Sequence, residues 1–316
     1  MLVLTRSQVE ELLDLDALVD AVAAAQADLS AGAASMPPRI AALVEEQGGL
    51  LGVMPAYLPS AGLACKLVTL FPRNRDRHTH QAAIMVFDPA NGSPVALMDG
   101  TYITATRTAA ASALATRLLA RADASVLAVL GSGVQAQSHG RALARVRGFT
   151  DVRVAARDRE KARTLAAELG GRAVASWQEA LDGADVVAAA THADEPVVRR
   201  EWLSPGVHVN SVGLNQAGRE VDAATVAEAL LVVESRASSL APPPAGAPEL
   251  AGMPPEAVHA ELGELVRGEK PGRTSPDQIT LYKSVGVAVQ DVAAAALVLE
   301  AARARGIGTD IDLGAE

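Results

Sequence analysis

The chain has 316 residues, 49% hydrophobic and 21% charged, enough for two domain-sized cores or one large one and incompatible with wholesale disorder. Lys plus Arg number 28 against 37 Asp plus Glu, a net charge of −9, the wrong sign for a protein that binds nucleic acid by neutralising phosphates. A single cysteine, Cys65, leaves no internal disulfide or thiolate cluster to expect, and no metal site is predicted.

In chain order, the opening MLVLTRSQVEELLDLD lacks the basic and apolar regions of a secretory signal, and no run of about 18 apolar residues is free of charge. A soluble, cytoplasmic protein with no membrane or nucleic-acid partner is therefore expected. Residues 7–29 carry Val9, Leu12, Leu13, Leu15, Leu18, Val19 and Val22 at helical spacing, predicting one helix with an acidic step at Asp14 and Asp16. Met36-Pro37-Pro38 stops it. Strand-like runs follow at 49–54, 63–69 and 82–87, then a turn signal, Asp88-Pro89-Ala90-Asn91-Gly92, and a strand at 94–98. Hairpin chemistry of this kind predicts a largely antiparallel sheet. From Thr104 the texture changes to an Ala-rich helix. Strands at 125–130, 152–156, 172–174, 186–190, 207–212 and 230–233 then alternate with helices from Val134, at 159–169 and at Ser176, where Ser176 and Glu179 have capping-box spacing. Such alternation predicts an α/β fold with a doubly wound parallel sheet, beside a smaller α+β part. The Pro-rich stretch 240–248 is predicted to be an exposed loop, and residues 285–304 a buried final helix.

Gly131-Ser132-Gly133-Val134-Gln135-Ala136 follows the apolar strand directly and opens a helix. Gly131 permits a tight turn, Gly133 lets the backbone approach a pyrophosphate, and Ala136 allows close helix–strand packing. The first helical residues, Val134 and Gln135, offer unpaired N–H groups to phosphate oxygens. An ordinary glycine turn is the plainer alternative, but strand and helix are both where a Rossmann-type dinucleotide site needs them. At the end of the next strand an acid would mark NAD(H); the chain reads Ala155-Ala156-Arg157-Asp158-Arg159, with Lys161 behind. Arg157 suits a 2′-phosphate, so NADP(H) is favoured, with NAD(H) possible if Arg157 is merely solvated and Asp158 takes the ribose. Thr191, Val212 and Gly213, at later strand ends, are placed to touch the nicotinamide half, unless they are simply polar turn residues.

Ordered blocks then carry a resemblance. Gly52-Val53-Met54-Pro55-Ala56-Tyr57, Lys66-Leu67-Val68-Thr69, His80-Gln81, Met98-Asp99-Gly100, the stretch from Ile103 through Arg107 to Ala110, and the glycine turn are joined by Ala260-Glu261-Leu262-Gly263-Glu264, Tyr282-Lys283-Ser284-Val285-Gly286 and Gln290-Asp291. Over nearly the whole chain this resembles the ornithine cyclodeaminase/mu-crystallin family, most closely its ketimine reductases. The resemblance implies a homodimer in which residues 1–120 and 287–316 form the substrate and dimer domain and 121–286 the Rossmann domain. It implies that Arg39 holds a substrate carboxylate, Lys66 sits at the reactive centre, and Arg107 opens the long helix beside substrate and cofactor. Thr79, His80 and Ser284 match positions that contact the nicotinamide cofactor.

The residues themselves agree without deciding. Arg39 is a fork-shaped carboxylate partner, and Lys66 lies in an apolar run where desolvation would lower its pKa. A lysine facing water and an arginine on a helix surface are the alternatives for Lys66 and Arg107. Two departures stand out. The family's cyclodeaminases carry an acid–base aspartate where this chain has Asn215, which cannot exchange a proton in the useful range. The Pro-rich loop near Glu249 replaces a more helical segment. The expected activity is an NAD(P)H-dependent reductase of a small, probably cyclic, 2-imino acid. The rival readings are an ornithine cyclodeaminase, an alanine dehydrogenase-like enzyme, and a non-catalytic NADPH-binding protein.

Overall fold

Residues 7–29 form two helices rather than one. After a short strand, β1 (Leu2–Leu4), the chain makes α1 (Arg6–Leu12) and then α2 (Leu15–Ser30). Asp14 causes the break: its backbone is extended, and its carboxylate accepts the Ala17 N–H at 2.8 Å, which caps a new helix. This is a computed structural model describing residues 1–215, 218–242 and 245–313, and it divides into two units, residues 1–107 with those from 287 onward, and residues 108–286. The division falls within the long helix α3 (Gly100–Leu119), whereas the sequence reading had put it at 120/121.

The first unit is built on a sheet of β2 (Ile40–Val44), β3 (Gly49–Leu58), β4 (Gly62–Leu70), β5 (His80–Phe87) and β6 (Pro94–Asp99), antiparallel throughout. β1 adds in parallel to β6, and a last strand, Thr309–Asp310, pairs with β1. Alternation sorts the residues. Met54, Ala56, Leu58, Ala64 and Ile84 are buried on the inner face, against which the C-terminal helix Ala288–Arg305 packs. The outer face carries Ile40, Leu51, Tyr57 and Leu67 exposed. β2 escaped the sequence reading because all five of its residues are exposed and it carries no burial pattern.

The second unit is the predicted doubly wound sheet. Its strands are β7 (Val126–Leu130), β8 (Asp151–Ala155), β9 (Arg172–Ala173), β10 (Val186–Ala189), β11 (His208–Ser211), β12 (Leu230–Val233), β13 (Ala260–Glu261) and β14 (Thr280–Lys283). They lie in the order β13-β12-β14-β11-β10-β7-β8-β9, with every pair parallel. Strand order reverses between β7 and β10, the place where open α/β sheets bind ligands. The helices α4 (Val134–Leu143) and α5 (Arg159–Glu168) follow β7 and β8. At Ser176 the hydroxyl accepts the Glu179 N–H as predicted, but the Glu179 carboxylate reaches back to the N–H of Ala175, one residue before the cap.

One expectation fails in the Pro-rich stretch 240–248. Pro243 and Pro244 lie outside the described residues, but Gly246 and Ala247 are buried rather than exposed. The Ala247 N–H donates to Ser239 O at 3.0 Å, and beyond it Glu249 is drawn inward by the buried ammonium of Lys283. Among the described residues no helix is long and apolar enough to cross a membrane.

Candidate active site

In the first unit, β4 turns Lys66 to the inner face, level with Met54 on β3 and Ile84 on β5, and leaves it 2% exposed. A charge in such surroundings needs a partner. The C-terminal helix supplies one: Asp291 Oδ2 lies 2.7 Å from Lys66 Nζ, and Asp291 Oδ1 accepts the Arg107 Nε–H at 2.9 Å. A second donor nitrogen of Arg107 reaches Gln290 Oε1 at 2.9 Å. Neither cation is the surface charge that the plainer readings allowed.

These contacts set the protonation states. Burial is the largest influence on Lys66, followed by the charge of Arg107; Asp291 opposes both, Arg39 adds a small push, and the ammonium is lowered to about 7. Burial pulls the Asp291 carboxyl upward, but Arg107 and Lys66 together outweigh it and hold the group below the usual carboxylate range. His80 opens β5, and burial, then the charges of Lys66 and Arg107, lower it to about 4, so its ring is neutral at pH 7. Arg39 is half-buried at the entry to β2. Thr79 has an exposed side chain, and its carbonyl accepts the Phe71 N–H. Three cationic side chains thus gather with one carboxylate. That excess of positive charge suits an anionic ligand, and an amine titrating near neutrality suits proton transfer.

In the second unit, the turn after β7 has the features a pyrophosphate site requires. Gly131 has φ +115°, and a Cβ there would lie 2.6 Å from Ala190 O, so only glycine fits. Gly133 precedes α4 with no side-chain cap, and nothing lies within 4 Å of the place its Cβ would occupy. The first N–H groups of the helix, including those of Val134 and Gln135, are left for a ligand. Gln135 also carries a buried side-chain oxygen with no partner in the described residues. Close packing comes from Ala136, fully buried, and from Gly140, where a Cβ would meet Leu169 at 2.4 Å. The buried His139 fixes the helix from behind, with Nδ1 on Gln135 O at 2.7 Å and Nε2 on Ser112 Oγ at 2.9 Å. These residues fit a dinucleotide.

Arg157 and Asp158, after β8, are both exposed. Asp158 caps α5, accepting the N–H groups of Glu160 and Lys161 at 3.1 Å each. Thr191, Val212, Gly213 and Ser284 stand at the carboxyl edge of the sheet. The Thr191 N–H and hydroxyl both donate to Glu220, as does the Gly213 N–H. The Ser284 hydroxyl donates to Glu234 Oε1 at 2.5 Å, and the Val212 N–H to Ala189 O at 3.0 Å. The Asn215 amide donates to Ala193 O at 3.1 Å and Asp194 Oδ1 at 2.9 Å, bonds that hold two loops together.

Asp291, Gln290 and Lys283 lie in the blocks that carry the family resemblance, which implies no role for them, and Glu220 and Glu234 lie outside those blocks. For Asp291 the sequence signal is a charge inside the otherwise apolar stretch 285–299; Glu220, between Arg219 and Asp222, carries no such signal. Among the described residues no group of three or more His, Cys, Asp or Glu is arranged to hold a metal ion.

Sheet, turn and open helix start together define a dinucleotide-binding protein of the Rossmann class. More narrowly, the chain belongs to the ornithine cyclodeaminase/mu-crystallin family, which matches residues 1–306. It is 42% identical over 275 residues to ketimine reductase mu-crystallin of Mus musculus, covering 85% of this chain and 86% of that one. Its structure is similar to that of Thermococcus litoralis Δ1-pyrroline-2-carboxylate reductase in complex with NADH and L-proline, with a TM-score of 0.93 and 37% identity over 98% of this chain and 100% of the other. An archaeal alanine dehydrogenase dimer with bound NAD is similar at a TM-score of 0.89 and 32% identity, covering 99% of both chains.

The ion cluster can be tested by stability. Asp291→Asn leaves the permanently charged Arg107 without a counter-charge in a buried place, a change costing about 3–5 kcal/mol. Lys66→Met keeps Asp291 paired with Arg107 and should cost clearly less. Denaturant unfolding of both variants checks the order, and the reverse order would remove Asp291 from the centre of the cluster.

Proposed function

We propose that this protein is a nicotinamide-dependent reductase of the C=N bond of a small cyclic 2-imino acid, preferring NADP(H) to NAD(H) and acting as a cytoplasmic homodimer. The observation that carries the reading is the buried amine of Lys66, poised near neutral pH beside Arg107 and Arg39. The similarity to ketimine and pyrroline-carboxylate reductases supports it.

Arg39 and Arg107 supply fixed positive charge for the substrate carboxylate and thereby orient the ring. Protonated Lys66 shares its proton with the imine nitrogen, which makes the adjacent carbon more electrophilic, and the nitrogen keeps that proton in the product amine. Asp291 holds the lysine in place and retains enough affinity for the proton that burial does not strip it. Residues 131–136 with Thr191, Val212, Gly213 and Ser284 would hold the dinucleotide, whose chemistry would be hydride donation. His80, neutral at pH 7, adds no further charge. A protein that merely stored a ligand would have no use for an amine titrating at this pH. Asn215, engaged in holding loops, offers no acid for deamination.

For the cofactor, Arg157 is exposed and has no ion-pair partner among the described residues, while the competing Asp158 is occupied as a helix cap. That combination supports recognition of a 2′-phosphate. For the dimer, Ile40 is 68%, Leu51 39%, Tyr57 38% and Leu67 42% exposed on one face of the first unit's sheet, an apolar surface suited to a second copy. The similar alanine dehydrogenase is a dimer. A free thiol at Cys65 and a dissolved nicotinamide cofactor fit a cytoplasmic setting.

A nicotinamide-absorbance assay over cyclic imino acids, 2-oxo acids with ammonia, and ornithine should show fastest turnover with a cyclic imine. Reduction should decline as pH rises through about 7, because the protonated fraction of Lys66 falls. Lys66→Met should lose that limb and about 10²–10⁴-fold in kcat while keeping cofactor affinity. Robust ammonia release from ornithine by the wild type would replace this reading with the cyclodeaminase one.

Arg157→Ala should raise the KM for NADPH about 10- to 100-fold and leave NADH nearly unaffected. Equal effects on the two cofactors would refute the preference. Sedimentation should report a dimer that Leu67→Asp, which places a charge on the apolar sheet face, dissociates; a monomeric wild type would refute the homodimer.

A further inference from the structure

In the second unit one buried carboxylate joins the ends of two adjacent parallel strands. Glu220 is 3% exposed and accepts four hydrogen bonds. Its Oε1 takes the N–H of Thr191 at 2.6 Å and the Thr191 hydroxyl at 2.8 Å, beyond the end of β10. Its Oε2 takes the Ser211 hydroxyl and the Gly213 N–H, both at 2.8 Å, at the end of β11. The close approach explains the glycine. A Cβ at Gly213 would lie 2.4 Å from Glu220 Oε1 and 2.4 Å from Thr191 O, while the backbone there does not have positive φ. Space, not conformation, excludes a side chain.

Glu220 is itself fixed from below. Its N–H donates to Glu249 Oε1 at 2.8 Å, which also faces Lys283 Nζ at 3.1 Å. Lys283 in turn donates to Ser211 Oγ at 3.0 Å and Gly213 O at 2.8 Å. A buried carboxylate is expensive unless its bonds are complete, and apolar packing could join two loops at less risk. What a carboxylate does better is hold two backbone N–H groups, from different strands, at one fixed spacing.

We propose that Glu220 is the positioning residue for the nicotinamide half of the cofactor site, presetting the distance between the Thr191 and Gly213 backbones. The inference rests on the dinucleotide reading above. The glycine turn and Arg157 make no bond to Glu220, so the adenine half of the site is independent of it.

Glu220→Gln provides the test. The volume is kept, but the amide oxygen can serve only one strand end, and its NH₂ then confronts the backbone N–H of Thr191 or Gly213, neither of which can rotate away. Binding is read by fluorescence titration with NADPH and by calorimetry with 2′-phospho-ADP-ribose, which lacks the nicotinamide ring. The variant should bind NADPH about 10- to 100-fold more weakly, the effect of one buried donor left unmade. Its affinity for 2′-phospho-ADP-ribose should match the wild type. Gly213→Ala, which strikes the same contact sterically, should show the same split and carries the test if the glutamine variant does not fold. Equal losses for both ligands, or no loss for either, would overturn the proposal. A wild type that bound neither would overturn the cofactor reading first and this inference with it.

Discussion

Asp291 holds together parts of the first unit that lie far apart in the chain. Its carboxylate pairs with Arg107, 184 residues earlier, and with Lys66 on β4. A helix, a strand and the returning C-terminal helix meet on two oxygen atoms. Buried ion clusters of this kind are poor sources of net stability, since desolvation offsets much of the Coulomb gain. Their value here lies in tuning. Burial and Arg107 drive the Lys66 proton off, Asp291 holds it on, and the balance falls near neutrality. Apolar residues of the same size would pack as well and leave no amine to titrate.

The second unit solves a different problem with the opposite charge. A parallel sheet ends its strands with backbone N–H groups pointing into loops, and each loop must be fixed if it is to meet a ligand reproducibly. Glu220 collects such donors from β10 and β11. Glu234, at the end of β12 and fully buried, does the same for the chain leaving β14, accepting the Ser284 hydroxyl and the N–H groups of Val285 at 3.1 Å and Gly286 at 3.0 Å. Lys283 bridges from β14 to β11 through Ser211 Oγ. The ends of β10, β11, β12 and β14 are therefore locked to one another by the buried side chains of Glu220, Glu234 and Lys283. At Gly213 the locking carboxylate comes so close that a Cβ would lie 2.4 Å from Glu220 Oε1, so the position has to be glycine.

What could be read in the sequence followed from local periodicity. The parallel strands β7 to β12, the glycine turn and the buried last helix are all patterns of neighbouring residues, and they appear within three residues of their predicted places. The acidic step at Asp14 interrupts the helical period, and an Asp before an apolar helical run is also a cap signal. β13 and β14 are absent from the strands that the sequence predicts. The partners of the candidate site were harder still. Lys66 and Arg107 look like surface charges until tertiary structure brings Asp291 to them, and sequence spacing says nothing about contacts across 184 positions. The Pro-rich segment misled because composition predicts solvation, whereas Lys283, buried at the end of β14, needed a carboxylate and drew Glu249 inward.

Asn215 shows how a single position reflects its neighbours as well as its chemistry. Its amide donates to Ala193 O and to the carboxylate of Asp194, while Gly218 on the same loop packs so closely that a Cβ would lie 2.6 Å from Asp194 Cα. Only a donor satisfies those two acceptors. An aspartate at this point would set two carboxylates at hydrogen-bond distance, which must then share a proton or move apart. An acid therefore cannot be introduced here by one substitution without also altering the loop that carries Asp194. The same loop follows β10 directly and begins with Thr191, one of the residues fixed by Glu220. Through both of its amide bonds the asparagine instead firms the loop that begins with Thr191.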